Sequence, residues 1–126
     1  MQRAHEEHQI PFKIHTVDKL FANRRLALAH WDVEGKELEV LQGGAAVLRR
    51  DEPVFTLESF PQSNPLAHAA LKQHVTEVLG YHMLEINEIC GAPVDCRNFL
   101  CVPPRLWQHL PPSCTSTVVR HTRHAG

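Results

Sequence analysis

The sequence predicts an open α/β sheet, because two apolar strands are each followed by an amphipathic helix. The nearly continuous apolar run RLALAHW, residues 25–31, is typical of a parallel strand covered on both faces. Apolar residues at helical spacing follow it over about residues 34–50. PVFTLESF, residues 53–60, is a second strand, and a second helix follows over about residues 65–79. Strands that alternate with helices favour a mostly parallel sheet with helices on its faces.

Shorter strands complete the prediction at both ends of this region. IPFKIHTV, residues 10–17, alternates apolar and polar residues as a strand does, and Asp18 can cap a brief helical turn after it. YHMLEI and CRNFLCVPP, residues 81–86 and 96–104, are the final strands. The Gly and Pro of ICGAPVDC, residues 89–96, favour a turn between them, so we expect an antiparallel final pair.

The chain has the length of one domain and divides into three parts. Residues 1–9 form a polar N-terminal segment, and residues 10–104 contain the periodic elements. Residues 105–126 lose the periodicity and are expected to form a disordered tail. Inside the first helix, Gly43 and Gly44 either permit a close helix–sheet contact or simply weaken the helix.

The composition excludes several classes of function. A formal net charge of −1 gives no electrostatic reason to bind nucleic acid or an anionic membrane surface. No apolar run is long enough to span a membrane, and the first residues, MQRAHEEHQI, are too polar for a signal peptide. The four cysteines form no close CxxC pair, so free thiols in a reducing compartment are the simpler interpretation, and a cytoplasmic location is favoured.

The ten histidines are unusual for this length, but they are scattered along the chain. Two pairs, His5 with His8 and His121 with His124, have a spacing that could hold a metal ion. Both pairs lie in polar terminal segments, where chance is the favoured explanation. We therefore expect no metal site.

Two carboxylates lie where the first long strand meets its helix, in the motif Asp32-Val33-Glu34-Gly35. Ligands of open α/β sheets bind at the carboxyl ends of the strands, and a carboxylate there can accept a proton. Asp32 can also serve as a helix N-cap, and Glu34 can simply favour the positive end of the helix. Gly35 lets the backbone turn tightly. Asp32 and Glu34 are therefore candidate catalytic residues.

Two further candidates lie near this motif. Glu58 ends the next strand and can line the same crevice, or it can be an exposed charge at the strand end. His30 can act as a base for a substrate hydroxyl, or it can pack beside Trp31. Both residues are therefore candidate catalytic groups, and the structural alternative stays open for each.

Five segments, in order, resemble the FkbM family of S-adenosylmethionine-dependent methyltransferases. HTVDKLF resembles the family's threonine-leucine-aspartate segment, and LALAHWDVEGKELEVLQGGAAVL resembles its signature strand and helix. PVFTLES resembles the following strand, VLGYHMLEI the helix end with Gly-Tyr, and RNFLCVPP the closing strand. The matches extend from about Ile10 to Pro104, and their order makes them far more specific than a lone DVEG.

The resemblance implies a Rossmann-like methyltransferase sheet and a definite reaction. A methyl group would pass from S-adenosylmethionine to a hydroxyl of a small molecule or sugar, with Asp32 in the active site. The family has a lysine and an aliphatic residue before the aspartate, where this chain has His30 and Trp31. Any contact that depends on the fixed charge of that lysine is therefore in doubt.

A larger departure concerns the cofactor. In the family the Gly-rich loop that holds S-adenosylmethionine comes earlier in the chain, and no GxGxxG precedes Ile10 here. We therefore expect residues 10–104 to be the C-terminal half of the domain. This chain by itself is then expected to be inactive, and no cofactor-binding residue can be assigned.

The same argument predicts an exposed sheet edge. In the whole enzyme, the strand before Asp32 would pair with the cofactor-binding strand, and without that neighbour it becomes an unprotected apolar edge. Residues 10–17 could fold back over the edge, a partner chain or missing N-terminal half could supply a strand, or the fold could be marginally stable. The alternative to an enzyme is a non-catalytic remnant, or an interaction module that pairs through this edge.

Overall fold

The structure, a computed structural model, describes residues 10–86 and 96–113, and these residues contain both helices and strands. The elements in chain order are α1 (Val17–Leu20), β1 (Leu28–Trp31), α2 (Glu37–Gln42), α3 (Ala45–Asp51), β2 (Val54–Ser59), α4 (Pro65–Gln73), a π-helical turn (His74–Val78), β3 (His82–Glu85), β4 (Arg97–Val102) and α5 (Pro104–Trp107). The α/β class predicted from the sequence is confirmed. None of the described helices is long and apolar enough to cross a membrane.

The four strands form one mixed sheet in the order β1-β2-β4-β3. β1 pairs in parallel with β2, whereas β4 is antiparallel to both β2 and β3. The antiparallel final pair is confirmed, but the expectation of a mostly parallel sheet is wrong. Three strands do point the same way, but β4 returns between two of them, so two of the three pairings are antiparallel.

Residues 10–16 form no strand, so the predicted strand at residues 10–17 is wrong. Ile10, Phe12 and Ile14 alternate as a strand would, yet their side chains are 82%, 81% and 83% exposed. A strand needs a neighbour for its backbone N–H and C=O groups, and none of the described strands lies beside this segment. The segment therefore does not fold back over the edge of the sheet.

The helical turn after this segment is capped by a different residue from the one predicted. The hydroxyl of Thr16 accepts a hydrogen bond from the Lys19 N–H at 3.3 Å and forms the N-cap of α1. The carboxylate of Asp18 instead accepts from the N–H groups of Ala46 and Val47, at 3.2 and 2.8 Å. Asp18 thus satisfies the first amides of α3 and ties α1 to it.

The single helix expected over residues 34–50 is two helices, α2 and α3, which separate at Gly43 and Gly44. A Cβ atom at Gly44 would lie 3.0 Å from the Cβ of Val17. Asp18 N–H also donates to the Gly43 carbonyl at 3.0 Å. The two glycines therefore do permit a close contact, but with α1 rather than with the sheet.

One face of the sheet, here called the helix face, carries the main core. Side chains of β2 and β4 on this face pack against α2, α3, α4 and the π-helical turn. The buried residues that meet there include Phe55, Leu57, Phe99 and Cys101 of the sheet and Leu41, Leu48, Leu71 and Val75 of the helices. Because α1 also packs at the β1 end of this face, four helices lie on one side.

The other face, here called the opposite face, is less covered than the sequence predicted. Leu28 of β1 is 70% exposed, so β1 is not buried on both sides as its apolar run suggested. Only α5 among the described helices reaches this face, where the Trp107 ring stacks on His82 with centroids 4.2 Å apart. An apolar strand stays exposed on any face where no helix or other segment packs against it.

A disordered tail was expected from residue 105 onward, but residues 105–107 belong to the helix α5. Arg105 forms an ion pair with Glu52 at 2.8 Å and donates to the Glu52 carbonyl at 2.9 Å. The predicted turn at residues 89–96 lies, except for Cys96, outside the described residues, as do the paired histidines of both termini. The rest of the expected tail, from residue 114 onward, also lies outside them.

A buried carboxylate fixes the chain just before β1. Asp51 is 6% exposed, and its Oδ2 accepts from the Leu26 N–H at 2.8 Å and from the Arg50 guanidinium at 2.7 Å. Arg50 also donates to the carbonyls of Phe21 and Arg24, at 3.1 and 2.7 Å. The hydrogen bonds from Arg50 and then from Leu26 hold the pKa of the Asp51 carboxyl well below its usual range.

We expect Asp51→Asn to destabilise the protein at neutral pH and to matter less in acid. The folded-state pKa of Asp51 lies below the unfolded value of about 3.9, so its stabilisation is complete above that pH and is lost as pH falls towards the folded-state pKa. The variant should unfold at a lower urea concentration than wild type at pH 7, and the gap should narrow below about pH 4.

The control for this measurement is Asp32→Asn, because Asp32 is an exposed loop aspartate. It should leave the urea midpoint unchanged at both pH values. A gap between Asp51→Asn and wild type that stays constant from pH 7 to low pH would contradict the role given to the ionised carboxylate.

Candidate functional site

The parallel pairing of β1 and β2 brings their carboxyl ends, Trp31 and Ser59, to the same edge of the sheet. The chain leaves β1 through residues 32–36, which turn before α2 begins. Glu34 and Gly35 both have positive φ angles, 53° and 88°. That conformation is ordinary for glycine but uncommon for glutamate, so the loop needs contacts that hold it in place.

Glu37, the first residue of α2, supplies those contacts. Its side chain is 4% exposed and turns back into the loop. Oε1 accepts from the backbone N–H of Val33 at 3.2 Å and of Gly35 at 3.4 Å. A buried carboxylate that accepts two backbone N–H groups fixes the loop that contains Asp32 and Glu34.

A cleft of about 410 Å³ opens at this edge of the sheet. Its walls come from the loop and α2 on one side, and from the end of β2 and the face of α4 on the other. The lining residues are Gly35, Glu37, Leu38, Glu39, Gln42, Ser59, Phe60, Asn64, Ala67 and Leu71. The cleft thus combines apolar walls with a few polar groups, as small-molecule sites do.

A hydroxyl and an imidazole form a pair beside the cleft. The Ser59 side chain is 7% exposed, and its Oγ lies 3.0 Å from Nδ1 of His68 in α4. The His68 ring also packs against Phe99 with centroids 5.4 Å apart. Because an imidazole can accept the proton of a serine hydroxyl, this pair can receive a proton from a ligand held in the cleft.

Glu39 adds negative charge at the rim of the cleft. It is exposed and pairs with Lys36 at 3.1 Å. A hydrogen bond from its own backbone N–H, and then one from Lys36, lower the pKa of the Glu39 carboxyl. Glu39 is therefore ionised at neutral pH and better suited to hold a hydroxyl or cation than to donate a proton.

Asp32 and Glu34 lie at the edge where the sequence placed them. Both side chains are exposed, and the described walls of the cleft include their neighbours Gly35 and Glu37 but neither of them. They follow the carboxyl end of β1, whereas the cleft itself is shaped by the residues that come after them.

His30 and Glu58 lie on the opposite face of the sheet, away from the cleft. His30 is exposed, and its Nδ1 lies 2.7 Å from the hydroxyl of Thr56 on the neighbouring strand. Glu58 is half-buried and accepts a hydrogen bond from the Cys96 thiol at 2.6 Å. The structure therefore separates these two candidates from Ser59 and the cleft, because alternate residues of a strand point to opposite faces.

Among residues 10–86 and 96–113, no group of three His, Cys, Asp or Glu side chains is arranged to hold a metal ion. Cys101 is buried, and burial raises the pKa of its thiol, which makes it a poor nucleophile.

No protein-family model, no curated protein and no solved structure matches the chain.

Sequence reasoning missed the residues that form the cleft. Glu37 was one of several glutamates at a helix start, and nothing in the spacing distinguishes the one that turns back into the loop. Ser59 and His68 are nine residues apart on a strand and a helix. The one sequence signal that could have pointed to Ser59 is its position at the end of β2, because the carboxyl ends of parallel strands lie at the edge where ligands bind.

We expect Glu37→Ala to loosen the loop and destabilise the fold. It leaves the N–H groups of Val33 and Gly35 without their carboxylate acceptor, which should cost about 1–3 kcal/mol in the free energy of unfolding. Glu37→Gln keeps one oxygen acceptor and should cost less. Urea denaturation measures the free energy, and amide exchange at Val33 and Gly35 measures the loop.

The matched control is Glu39→Ala, which removes a glutamate two residues away in the same helix from an exposed position. It should change the free energy of unfolding by no more than about 0.5 kcal/mol. If Glu37→Ala were as mild as Glu39→Ala, the carboxylate would not be what holds the loop.

Proposed function

We propose that this chain supplies the acceptor side of an S-adenosylmethionine-dependent methyltransferase of the FkbM type, which acts on a hydroxyl of a small molecule or sugar. The observation that carries the proposal is the cleft at the shared carboxyl edge of β1 and β2, beside the Asp32-Val33-Glu34-Gly35 loop. That edge is where open α/β sheets bind their ligands. The loop is also the segment with the most specific resemblance to the family.

The outer edge of β1 supports the idea that a neighbouring strand belongs there. Among the described strands, β1 pairs only with β2 and lies at the end of the sheet.

The described residues do not fit the cofactor. Before β1 they comprise an exposed extended segment and the four-residue helix α1, with no Gly-rich strand–loop–helix. The donor pocket in this proposal is therefore built by a separate segment or a partner chain on the β1 side. What this chain's own residues can do concerns the acceptor.

The cleft has the size and chemistry for such an acceptor. Its volume of about 410 Å³ falls within the range of small-molecule sites, roughly 300–1,000 Å³. Gln42, Glu39 and Asn64 offer hydrogen-bonding groups along its walls. The Ser59–His68 pair can take up the proton that an acceptor hydroxyl releases when its oxygen attacks a methyl group. Orientation of that hydroxyl is the chain's second contribution.

A second candidate function is a non-catalytic interaction module, or a remnant of an enzyme, that pairs through β1. The observation that favours it is the unpaired edge itself, on which Leu28 is 70% exposed. The reading frame upstream of Met1 distinguishes the two functions. A Gly-rich strand–loop–helix encoded there in frame supports the methyltransferase, whereas stop codons or unrelated sequence support the module or remnant.

Calorimetry with S-adenosylmethionine tests the proposal. The 126-residue chain alone should show no saturable binding below about 1 mM, since the described residues do not fit the cofactor. The longer protein that includes an upstream Gly-rich segment should bind with a dissociation constant on the order of 10 µM and transfer labelled methyl groups to a hydroxyl acceptor.

Variants of the cleft sharpen this test in the longer protein. His68→Gln should lower the rate of methyl transfer by about 10²-fold and leave cofactor affinity unchanged, because it removes a proton acceptor and no donor contact. His109→Gln changes a histidine in the segment after α5 and should alter neither quantity. Tight binding by the 126-residue chain alone would contradict the division into halves, and a longer protein that does not bind the cofactor would contradict the methyltransferase.

A further inference from the structure

We propose that two copies of this chain dimerise by exchanging residues 10–15, each segment adding a strand to the free edge of the partner's β1. The inference goes beyond methyl transfer and rests on an unpaired edge and an unpaired strand-like segment in the same chain. Strand addition to an exposed edge is a common mode of association, because the backbone N–H and C=O groups of the edge are ready to pair.

The free edge presents the backbone groups of Leu28 and His30. The Val54 N–H donates to the Ala27 carbonyl at 3.1 Å, so the backbone groups of residue 27 face β2. In a parallel strand the backbone N–H and C=O groups of every second residue face the same neighbour, so those of Ala29 and Trp31 face β2 as well. The backbone groups of Leu28 and His30 therefore face the other side of β1, where there is no described strand.

Residues 10–15 have the pattern of the strand that would fit there. Ile10, Phe12 and Ile14 alternate with Pro11, Lys13 and His15, and the three apolar side chains are all more than 80% exposed. Pro11 has no N–H to donate, so it must point away from a partner strand. Since Pro11 is in phase with Lys13 and His15, the backbone groups of the apolar residues can face β1.

The geometry of α1 favours a second copy over the same chain. Thr16 directly follows the segment and is fixed as the N-cap of α1, which packs against Gly43 and Gly44 in the helix layer. The segment before Thr16 is exposed over residues 10–15 and does not lie beside its own β1. A second molecule can bring its free edge to this segment without moving α1.

The exchange is reciprocal and so closes as a symmetric pair. Each copy gives the same segment and receives the same segment, which is the isologous arrangement of a two-fold dimer. Two six-residue strands and their apolar side chains form an interface near the lower limit of specific ones, roughly 1,200 Å². We therefore expect a concentration-dependent dimer that needs no cofactor.

Sedimentation equilibrium of the 126-residue chain, over about 1–500 µM, tests the exchange. Wild type should change from monomer to dimer in that range. Phe12→Asp, in the segment, and Leu28→Lys, on the edge, should each raise the dimer dissociation constant by about tenfold or more. Leu66→Asp is the matched control, since Leu66 is 84% exposed but lies on α4, and it should leave the dissociation constant unchanged.

Mixing the two variants gives the most specific readout. The Phe12→Asp chain keeps an intact edge and the Leu28→Lys chain keeps an intact segment. A mixed dimer therefore has one exchanged strand free of both substitutions, whereas the dimer of either variant alone has none. Because one substitution should be enough to prevent its exchanged strand from forming, an equimolar mixture should dimerise more tightly than either variant alone. Circular dichroism verifies that each variant is folded. A wild type that stays monomeric, a dimer that both variants leave unchanged, or a Phe12→Asp effect on stability without any dimer would each overturn the exchange.

None of these measurements includes a methyl donor. A failed exchange therefore leaves the proposed methyltransferase to be decided by cofactor binding. The exchange concerns the 126-residue chain, because the cofactor-binding segment of a longer protein would take the same edge of β1. A dimer of the 126-residue chain formed by strand exchange therefore stands even if the longer protein binds no cofactor.

Discussion

The parallel pairing of β1 with β2 is the constraint on which the rest of the structure depends. Because both strands point the same way, Trp31 and Ser59 end at one edge, where the Glu37-braced loop and the start of α4 enclose a cleft. The same pairing uses only one side of β1 and leaves the other to solvent. The candidate site and the exposed edge are thus two consequences of one arrangement, and the Asp51 contacts place β1 so that it can form.

Much of the fold could be predicted because its signals are local. Apolar periodicity located β1, β2 and the main helical regions, although it predicted one helix where α2 and α3 separate at Gly43 and Gly44. The order of the other strands in the sheet could not be predicted, since it depends on contacts between distant residues. The alternation of Ile10, Phe12 and Ile14 is a valid strand pattern, yet without a neighbouring strand it forms no strand. The insertion of β4 between β2 and β3 likewise has no local signature.

The candidate site, like the fold, could be predicted only in part from the sequence. Strand ends predicted the edge, and Asp32 and Glu34 lie in the loop at that edge, although neither of them lines the cleft. Side-chain direction within a strand decided the others. Glu58 and Ser59 are adjacent in sequence, but the alternation of β2 sends the carboxylate to the opposite face and the hydroxyl to the cleft. Its position at the strand end suggested Glu58, and only the direction of alternate side chains in β2 distinguishes it from Ser59.

Residue-resolved amide hydrogen exchange across β1 tests this account most directly. In the monomer, at a concentration too low for dimerisation, the amides of Ala29 and Trp31 should be protected by β2, whereas those of Leu28 and His30 should exchange almost as fast as an unstructured chain. Equal protection at all four positions would mean that another strand already occupies the outer side of β1. Absence of protection at all four would mean that β1 does not pair with β2, and the shared edge and its cleft would not exist.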